Sequence, residues 1–244
     1  MVFTLNPKFI AAMSWYYGFS TLKRSYSYVI VSLMMPLTIL FIVYIISHGA
    51  IIEYAVLGGF IIMIASNSLS SAGDAAFMRL QLRIQDLFVD TSITPMDYML
   101  ALTISYAAFA LPGLAIFAVM GIVLKMFTIL NVLLLIAILI MLLVSSSAIS
   151  FIISSRVKHV RNVWGISAII STLLTMIPPT FYPYTYLPKI ALYILALSPA
   201  TPAAVLAQGY FGLAPKMLSM LGVLMAEVVI YMVIARYFVR WRES

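Results

Sequence analysis

The sequence predicts an all-α integral membrane protein with six transmembrane helices. Three observations lead to this fold class: the composition, the length of the apolar segments and the distribution of lysine and arginine. Hydrophobic residues make up 64% of the 244 positions and charged residues only 9%, which lies outside the range of soluble globular domains. We therefore expect one transmembrane domain over residues 1–244, with no soluble catalytic domain.

The apolar segments give the spans. A bilayer core of about 30 Å needs roughly 20 apolar residues per helix. Six apolar segments are candidate spans, and one of them, from Trp164 to about Phe181, is shorter than the others. The five segments that reach the full length are Tyr26–Ile46, Tyr54–Ala72, Tyr98–Leu124, Ile129–Ile153 and Met217–Tyr237. The first is too long for a cleaved signal sequence, so we expect it to be an uncleaved span.

Lysine and arginine predict the orientation of these spans. With six spans both termini lie on one side, and the other side holds only Lys125, Lys189 and Lys216. The first side collects Lys8, Lys23, Arg24, Arg79, Arg83, Arg156, Lys158, Arg161, Arg236, Arg240 and Arg242. By the positive-inside rule we expect a multi-pass protein of the plasma membrane with both termini in the cytoplasm. Because the basic residues flank apolar segments, they set orientation, and no nucleic-acid partner is expected.

A proline-rich passage, "MIPPTFYPYTYLPKIALYILALSPATPAAVLAQGYFG", lies before the last span and holds six of the eleven prolines. Counting it as a seventh span would put the C-terminal arginines outside, against the positive-inside rule. We expect residues 183–215 to form an outer re-entrant hairpin of two half-helices, Ile190–Leu197 and Ala203–Tyr210, joined near the last two prolines. The alternative is a simple folded cap on the outer surface. The candidate hairpin or gate residues are Phe181, Tyr182, Pro183, Tyr184, Tyr186, Pro188, Pro199 and Pro202.

The first twenty-five residues predict an amphipathic interfacial helix on the cytoplasmic face. Pro7 suits the first turn of a helix that Asn6 caps, and apolar residues follow at helical spacing. Trp15, Tyr16 and Tyr17 are expected to anchor this helix at the lipid interface.

Residues 74–97 form the longest predicted cytoplasmic connection. Leu80, Ile84, Leu87 and Phe88 recur at helical spacing and predict a short charged helix. Its docking candidates, together with the turn into the third span, are Arg79, Arg83, Asp86, Asp90, Thr94 and Pro95. Two interpretations stay open: a docking element for a soluble partner, or an interfacial helix that orients the second and third spans.

Catalytic motifs are missing from the sequence. The histidines are only His48 and His159, cysteine is absent, and no P-loop or serine-nucleophile motif occurs. We therefore expect no metal site, no catalytic site and no cofactor in this chain. The intramembrane polar candidates are Asn67 and Glu227, and the glutamate either packs between helices in neutral form or faces a cavity.

The proline-rich passage carries a family resemblance. Phe181, Tyr182-Pro183, Leu187-Pro188 and Pro199-Ala200-Thr201 resemble a stretch of the permease subunit of type-2 ABC transporters, which export drugs, lipids and polysaccharides. Ser198 stands where that family usually has asparagine. A second stretch, "ITPMDYML", resembles the turn from the coupling helix into the third span.

The resemblance implies an exporter of hydrophobic or amphiphilic substrates. It implies a separate ABC ATPase subunit that binds ATP and magnesium, a second permease copy, and docking of the ATPase on residues 74–97 and on the N-terminal helix. The spans and connections predicted above divide the domain into residues 1–25 (interfacial helix), 26–73 (spans 1–2), 74–97 (coupling segment), 98–182 (spans 3–5), 183–215 (hairpin) and 216–244 (span 6 and tail). Two alternatives remain: an ion- or proton-coupled carrier or channel that uses Glu227, and a non-transporting membrane scaffold.

Overall fold

The computed structural model describes residues 5–83, 91, 93–157 and 159–238. Within these ranges the chain is helical and contains no strand. Five helices are long and apolar enough to cross a membrane, which confirms the all-α class and agrees with a membrane-embedded protein. The helix Val160–Met176 has 17 residues and is shorter than these five, so the sixth span stays a prediction.

We number the helices in chain order. A π-helical segment, Ser14–Ser20, separates the first two. The helices are α1 Pro7–Met13, α2 Thr21–Arg24, α3 Tyr26–Ser47, α4 Ile52–Leu80, α5 Pro95–Val123, α6 Ile129–Arg156, α7 Val160–Met176, α8 Lys189–Leu195, α9 Ala200–Tyr210 and α10 Ser219–Phe238.

Helix α4 is the centre of the bundle. It packs against α3, α5, α6 and α7 and is the most buried of the long helices. Helix α3 is the opposite case, because side chains such as Val31 and Phe41 remain mostly exposed. An apolar helix with an exposed apolar surface is stable in lipid, where that surface needs no protein cover. The short helix α9 is buried along most of its length and packs against α4, α6 and α10.

Helix α4 extends beyond its predicted end. The sequence predicted an end at Ala72, whereas the helix continues to Leu80 and takes in the first part of the segment 74–97. Its polar residues have partners on neighbouring helices: Asp74 is hydrogen-bonded to α5, and Arg79 to the end of α6. Polar residues that would end an apolar run in lipid are thus accommodated inside the protein.

Candidate functional site

Two short helices, α8 and α9, stand where the sequence predicted the half-helices, and residues 196–199 connect them. Pro188 caps α8, and Pro183 precedes a 3₁₀ turn at Tyr184–Tyr186. Pro202 lies in the first turn of α9, not in the connection as predicted. A proline there costs no hydrogen bond, since the first-turn N–H groups have no partner within the helix.

Three hydroxyl groups satisfy the carbonyl oxygens around this connection. Ser198 Oγ donates to Leu174 O at the end of α7, at 2.5 Å. Thr201 Oγ1 donates to Leu195 O, and the Tyr231 hydroxyl of α10 donates to Leu197 O, each at 2.6 Å. Broken helices leave carbonyl groups without partners, which is costly away from water. Here side chains from α9, α10 and the connection itself replace the missing helical hydrogen bonds.

A buried glutamine holds the proline-rich passage against α9. Gln208 is 1% exposed, and its Nε2 donates to Pro179 O at 2.8 Å and to Tyr182 O at 3.0 Å. Its Oε1 accepts from the Tyr184 amide at 3.0 Å. Sequence reasoning missed this residue. The only signal was a single amide side chain in the otherwise small and apolar sequence "ATPAAVLAQGY".

The aromatic residues of the passage lie in different surroundings. Phe181 and Tyr184 are buried, whereas Tyr186 is 70% exposed. The Tyr184 hydroxyl donates to Pro215 O, and burial raises the pKa of Tyr184, so the phenol stays protonated as a donor. The Tyr182 hydroxyl donates to Ile177 O at 2.9 Å. The hydroxyls of Tyr182 and Tyr184 therefore stabilise the irregular backbone on either side of the passage.

Close approach of α4 to this passage requires glycine. A Cβ atom added at Gly58 would lie 2.1 Å from Thr180 O, far inside van der Waals contact. Phe181, the next residue, packs in a cluster with Ala55 and Ile62 of α4. The passage is thus fixed to the centre of the bundle through α4 as well as through α9.

A buried carboxylate joins the N-terminal helix to the start of α5. Asp97 Oδ1 accepts from the Asn6 amide at 2.8 Å, while Oδ2 accepts from the Thr94 amide at 2.9 Å and from Thr94 Oγ1 at 2.7 Å. The predicted turn at Thr94 and Pro95 is confirmed as the cap and first residue of α5. Asn6 caps α1, with Pro7 in its first turn, as predicted. Asp97 itself was not among the predicted site residues.

The N-terminal segment packs closely on α5. Phe9, Met13 and Tyr17 lie against the apolar cluster that contains Tyr106 and Phe109. A Cβ atom at Gly18 would come within 2.8 Å of the Ser105 backbone, so glycine permits this approach. The Trp15 and Tyr16 side chains are 59% and 73% exposed on the other side. The segment therefore has the two-sided character that an interfacial helix needs.

A second carboxylate connects three elements at the same end of the bundle. The Tyr106 hydroxyl of α5 donates to Asp74 Oδ2 of α4 at 2.5 Å. Tyr17 of the N-terminal segment is another hydrogen-bond partner of Asp74, and its ring lies 6.2 Å from that of Tyr106. Hydrogen bonds from two phenols compensate the burial of this carboxyl group.

The predicted docking residues have separate surroundings. Arg79 Nη2 donates to Ser154 O and Val157 O, each at 2.8 Å. Its positive charge lies at the C-terminal end of α6, where it also stabilises the negative end of the helix dipole. Arg83 is exposed, with a left-handed backbone at φ 48°. Asp86 and Asp90 lie outside the described residues. The predicted docking role of these residues stays a prediction.

The two intramembrane polar candidates differ in their hydrogen bonding. Asn67 Nδ2 donates to Met63 O at 2.7 Å within α4. Glu227 of α10 is only 6% exposed, yet neither of its carboxyl oxygens has a hydrogen-bond partner among the described residues.

The described residues also include no group of three or more acidic, histidine or cysteine side chains that could hold a metal ion. Comparison with protein-family models and with curated proteins gave no match to this sequence.

Proposed function

We propose that this chain is the membrane-spanning subunit of an ATP-driven ABC exporter. It moves a hydrophobic or amphiphilic substrate out of the cytoplasm or the inner leaflet, and a separate ATPase subunit supplies the energy. The observation that carries the proposal is the interrupted helix pair α8 and α9. It coincides with the stretch whose residues resemble the type-2 permeases most closely, and Thr201 and Tyr231 donate to the carbonyl groups of Leu195 and Leu197 where the helix is interrupted.

The contacts of α8 and α9 support a re-entrant hairpin in a six-span topology. Tyr231 lies twelve residues beyond Ser219, the start of α10, or about 18 Å along a helix axis. Its hydroxyl reaches Leu197, so the connection between the two short helices lies deep along α10. Helix α7, about 25 Å long, ends near the same connection through Leu174. A short fifth span and a returning hairpin would together fill one bilayer thickness.

The junction at Asp97 supports a coupling role for the end of the bundle where the N-terminal helix meets the start of α5. The segment 74–97 and the N-terminal helix are the two elements that the resemblance assigns to ATPase docking. Asp97 bonds both the residue that caps α1 and the residue that caps α5. A force applied to the N-terminal helix is therefore passed to α5 through Asp97 and through the packing of this segment on α5, and the segment 74–97 leads directly into α5. ATP-driven closure can then shift the balance between two states of the membrane domain.

Co-purification with an ATPase tests this proposal. Arg83→Glu reverses an exposed charge beside the predicted docking helix, and we expect it to lower recovery of the ATPase by about tenfold, as for loss of an electrostatic contact at a protein interface. Lys125→Glu is the matched control, since Lys125 is also exposed with a left-handed backbone but follows α5 at its other end. Recovery of no ATPase with the unaltered chain, or equal recovery with both variants, would contradict the proposal.

One observation favours a second candidate function, a proton- or ion-coupled carrier. Glu227 is a buried intramembrane carboxyl group without a hydrogen-bond partner among the described residues, and such groups often bind protons or ions during transport. Transport by reconstituted vesicles separates the two functions. The exporter requires ATP and its ATPase and continues when a protonophore collapses the proton gradient, whereas the carrier stops.

A further inference from the structure

The exposed side of the N-terminal segment is aromatic and basic. The Trp15 and Tyr16 side chains are more than half exposed, and Lys8, Lys23 and Arg24 are exposed as well. Aromatic rings with a polar atom are favoured at the boundary between lipid and water, and basic side chains are favoured next to lipid phosphates. We call these five residues the basic aromatic face.

The carboxyl groups that bond to this segment lie on its opposite side, towards the bundle. Asp97 accepts the Asn6 amide and is fully buried, and Asp74 of α4 is hydrogen-bonded to Tyr17. No acidic residue precedes Glu53 in the sequence, so the segment has no carboxylate of its own. The exposed side is therefore strongly positive, and a surface of this kind attracts anions.

The aromatic and basic side chains of the face are arranged in an ordered way. The Trp15 and Phe19 rings stack with their centroids 5.8 Å apart and an interplanar angle of 24°. Lys23 Nζ lies 5.2 Å from the centroid of the Trp15 ring, within the range at which a ring attracts a cation. The ammonium group therefore has a defined position beside the aromatic pair.

The basic residues lie where two candidate membrane-spanning helices begin. Lys23 and Arg24 precede the start of α3 by three and two residues. The headgroup layer on each side of a bilayer is about 6 Å thick, which corresponds to roughly four helical residues. The bond between Asn6 and Asp97 holds the start of α1, and with it Lys8, beside the first turn of α5. All three cations thus lie at the depth of the lipid phosphates.

We infer that the basic aromatic face binds anionic phospholipid of the leaflet that it borders. Lys23 and Arg24 contact the phosphate and the charged headgroup, and the Trp15 ring packs at the start of the acyl chains. An anionic lipid supplies both a negative charge and apolar chains, whereas a zwitterionic lipid carries its own cation beside the phosphate. One basic residue near a membrane surface contributes about a fivefold preference for anionic lipid.

The depth of the rings favours lipid over an acidic protein as the partner. A soluble protein reaches the segment from the aqueous side, whereas Trp15 and Lys23 lie in the headgroup layer. Lipid binding of this kind needs only that α3 and α5 enter a bilayer at this end, and it goes beyond the exporter function. The bound lipid then holds the exposed side of a segment whose other side is fixed to α5.

Fluorescence quenching in lipid nanodiscs, without any ATPase, tests the inference. Trp164→Phe and Trp241→Phe leave Trp15 as the only tryptophan of the full-length chain. The nanodiscs contain phosphatidylcholine with a smaller amount of phosphatidylglycerol. Bromine quenches at short range, and it is placed on the acyl chains either of the phosphatidylglycerol or of an equal amount of the phosphatidylcholine. We expect brominated phosphatidylglycerol to quench Trp15 more strongly, by an amount that corresponds to about fivefold enrichment.

Two triple variants with equal loss of charge show whether the face causes this preference. The test variant replaces the basic residues of the face: Lys8→Gln, Lys23→Gln and Arg24→Gln. The matched control replaces three exposed lysines of other elements: Lys125→Gln, Lys189→Gln and Lys216→Gln. Lys216 Nζ also lies over an aromatic ring, 5.8 Å from the Tyr210 centroid. We expect the test variant to lose the preference while brominated phosphatidylcholine still quenches Trp15, and the control to keep it.

A charge-preserving variant separates loss of charge from a disturbed fold. Lys23→Arg combined with Arg24→Lys should keep the preference, and its loss there would count against the inference. Equal quenching by the two brominated lipids, an unchanged preference in the test variant, or the same loss in the control would overturn it. Loss of ATPase recovery in the test variant without any lipid preference in the parent chain would assign the cations to a protein interface instead, and would also overturn it.

Discussion

Substitution of Asp97 should release the N-terminal helix from the bundle. The carboxylate accepts the Asn6 amide at 2.8 Å and is fully buried. In Asp97→Ala this amide, next to the N-terminus of α1, loses its partner. A hydrogen bond to a charged group contributes about 2 kcal/mol, and each 1.4 kcal/mol corresponds to a tenfold change in an equilibrium constant. The opening equilibrium of the N-terminal segment should therefore rise about thirtyfold.

Amide hydrogen exchange in lipid nanodiscs measures this opening. We expect faster exchange in residues 7–24 of Asp97→Ala, and an intermediate effect in Asp97→Asn, which keeps one acceptor oxygen. Thr128→Val is the control, since Thr128 caps α6 by accepting the Asn131 amide and follows the C-terminal end of α5, whereas Asp97 lies in its first turn. Unchanged exchange over residues 7–24 in Asp97→Ala would refute the reasoning, because the junction would then contribute nothing to docking.

Two further predictions concern the hairpin. Gln208→Leu keeps the approximate volume of the side chain but removes the partners of two carbonyl oxygens and one amide. We expect the free energy of unfolding to fall by about 3 kcal/mol, which lowers the melting temperature in detergent. A melting temperature equal to that of the unaltered chain would contradict this prediction. Pro199→Ala removes the rigid residue before α9 without removing a hydrogen bond; we expect altered export with normal dimer and ATPase assembly. Export at the normal rate would exclude a gating role for the connection.

Hydropathy and residue type predicted the parts of the fold that depend on local sequence. Tyr26 and Ile129 begin α3 and α6 as predicted, because apolar runs of the required length are bounded by polar residues. Thr94 and Pro95 begin α5, since a threonine cap followed by proline favours a helix start. The end of α4 was predicted eight residues too early. The continued part holds Asp74, which accepts a hydrogen bond from Tyr106, 32 positions away in the chain.

The site residues that the sequence did not reveal share a physical reason. Gln208 and Asp97 act through partners that are distant in the chain, such as Pro179 at a separation of 29 and Asn6 at a separation of 91. Composition and periodicity report which side chains favour lipid or water, but they do not report which backbone groups need a partner. Residues that satisfy broken backbone are found only once the break itself is located.

Helix α4 links the two regions to which the proposed function assigns separate tasks. Near one end, Gly58 allows the helix to lie against the Thr180 carbonyl, and towards the other, Asp74 is bonded to Tyr106 and Tyr17. Both contacts are polar or backbone contacts with little tolerance for displacement, and the helix between them is buried on most sides. Under the proposed function, a helix fixed in this way passes a displacement from its end near Asp74 to the proline-rich passage at its other end. On that proposal, coupling between the two regions needs no connector other than α4 itself.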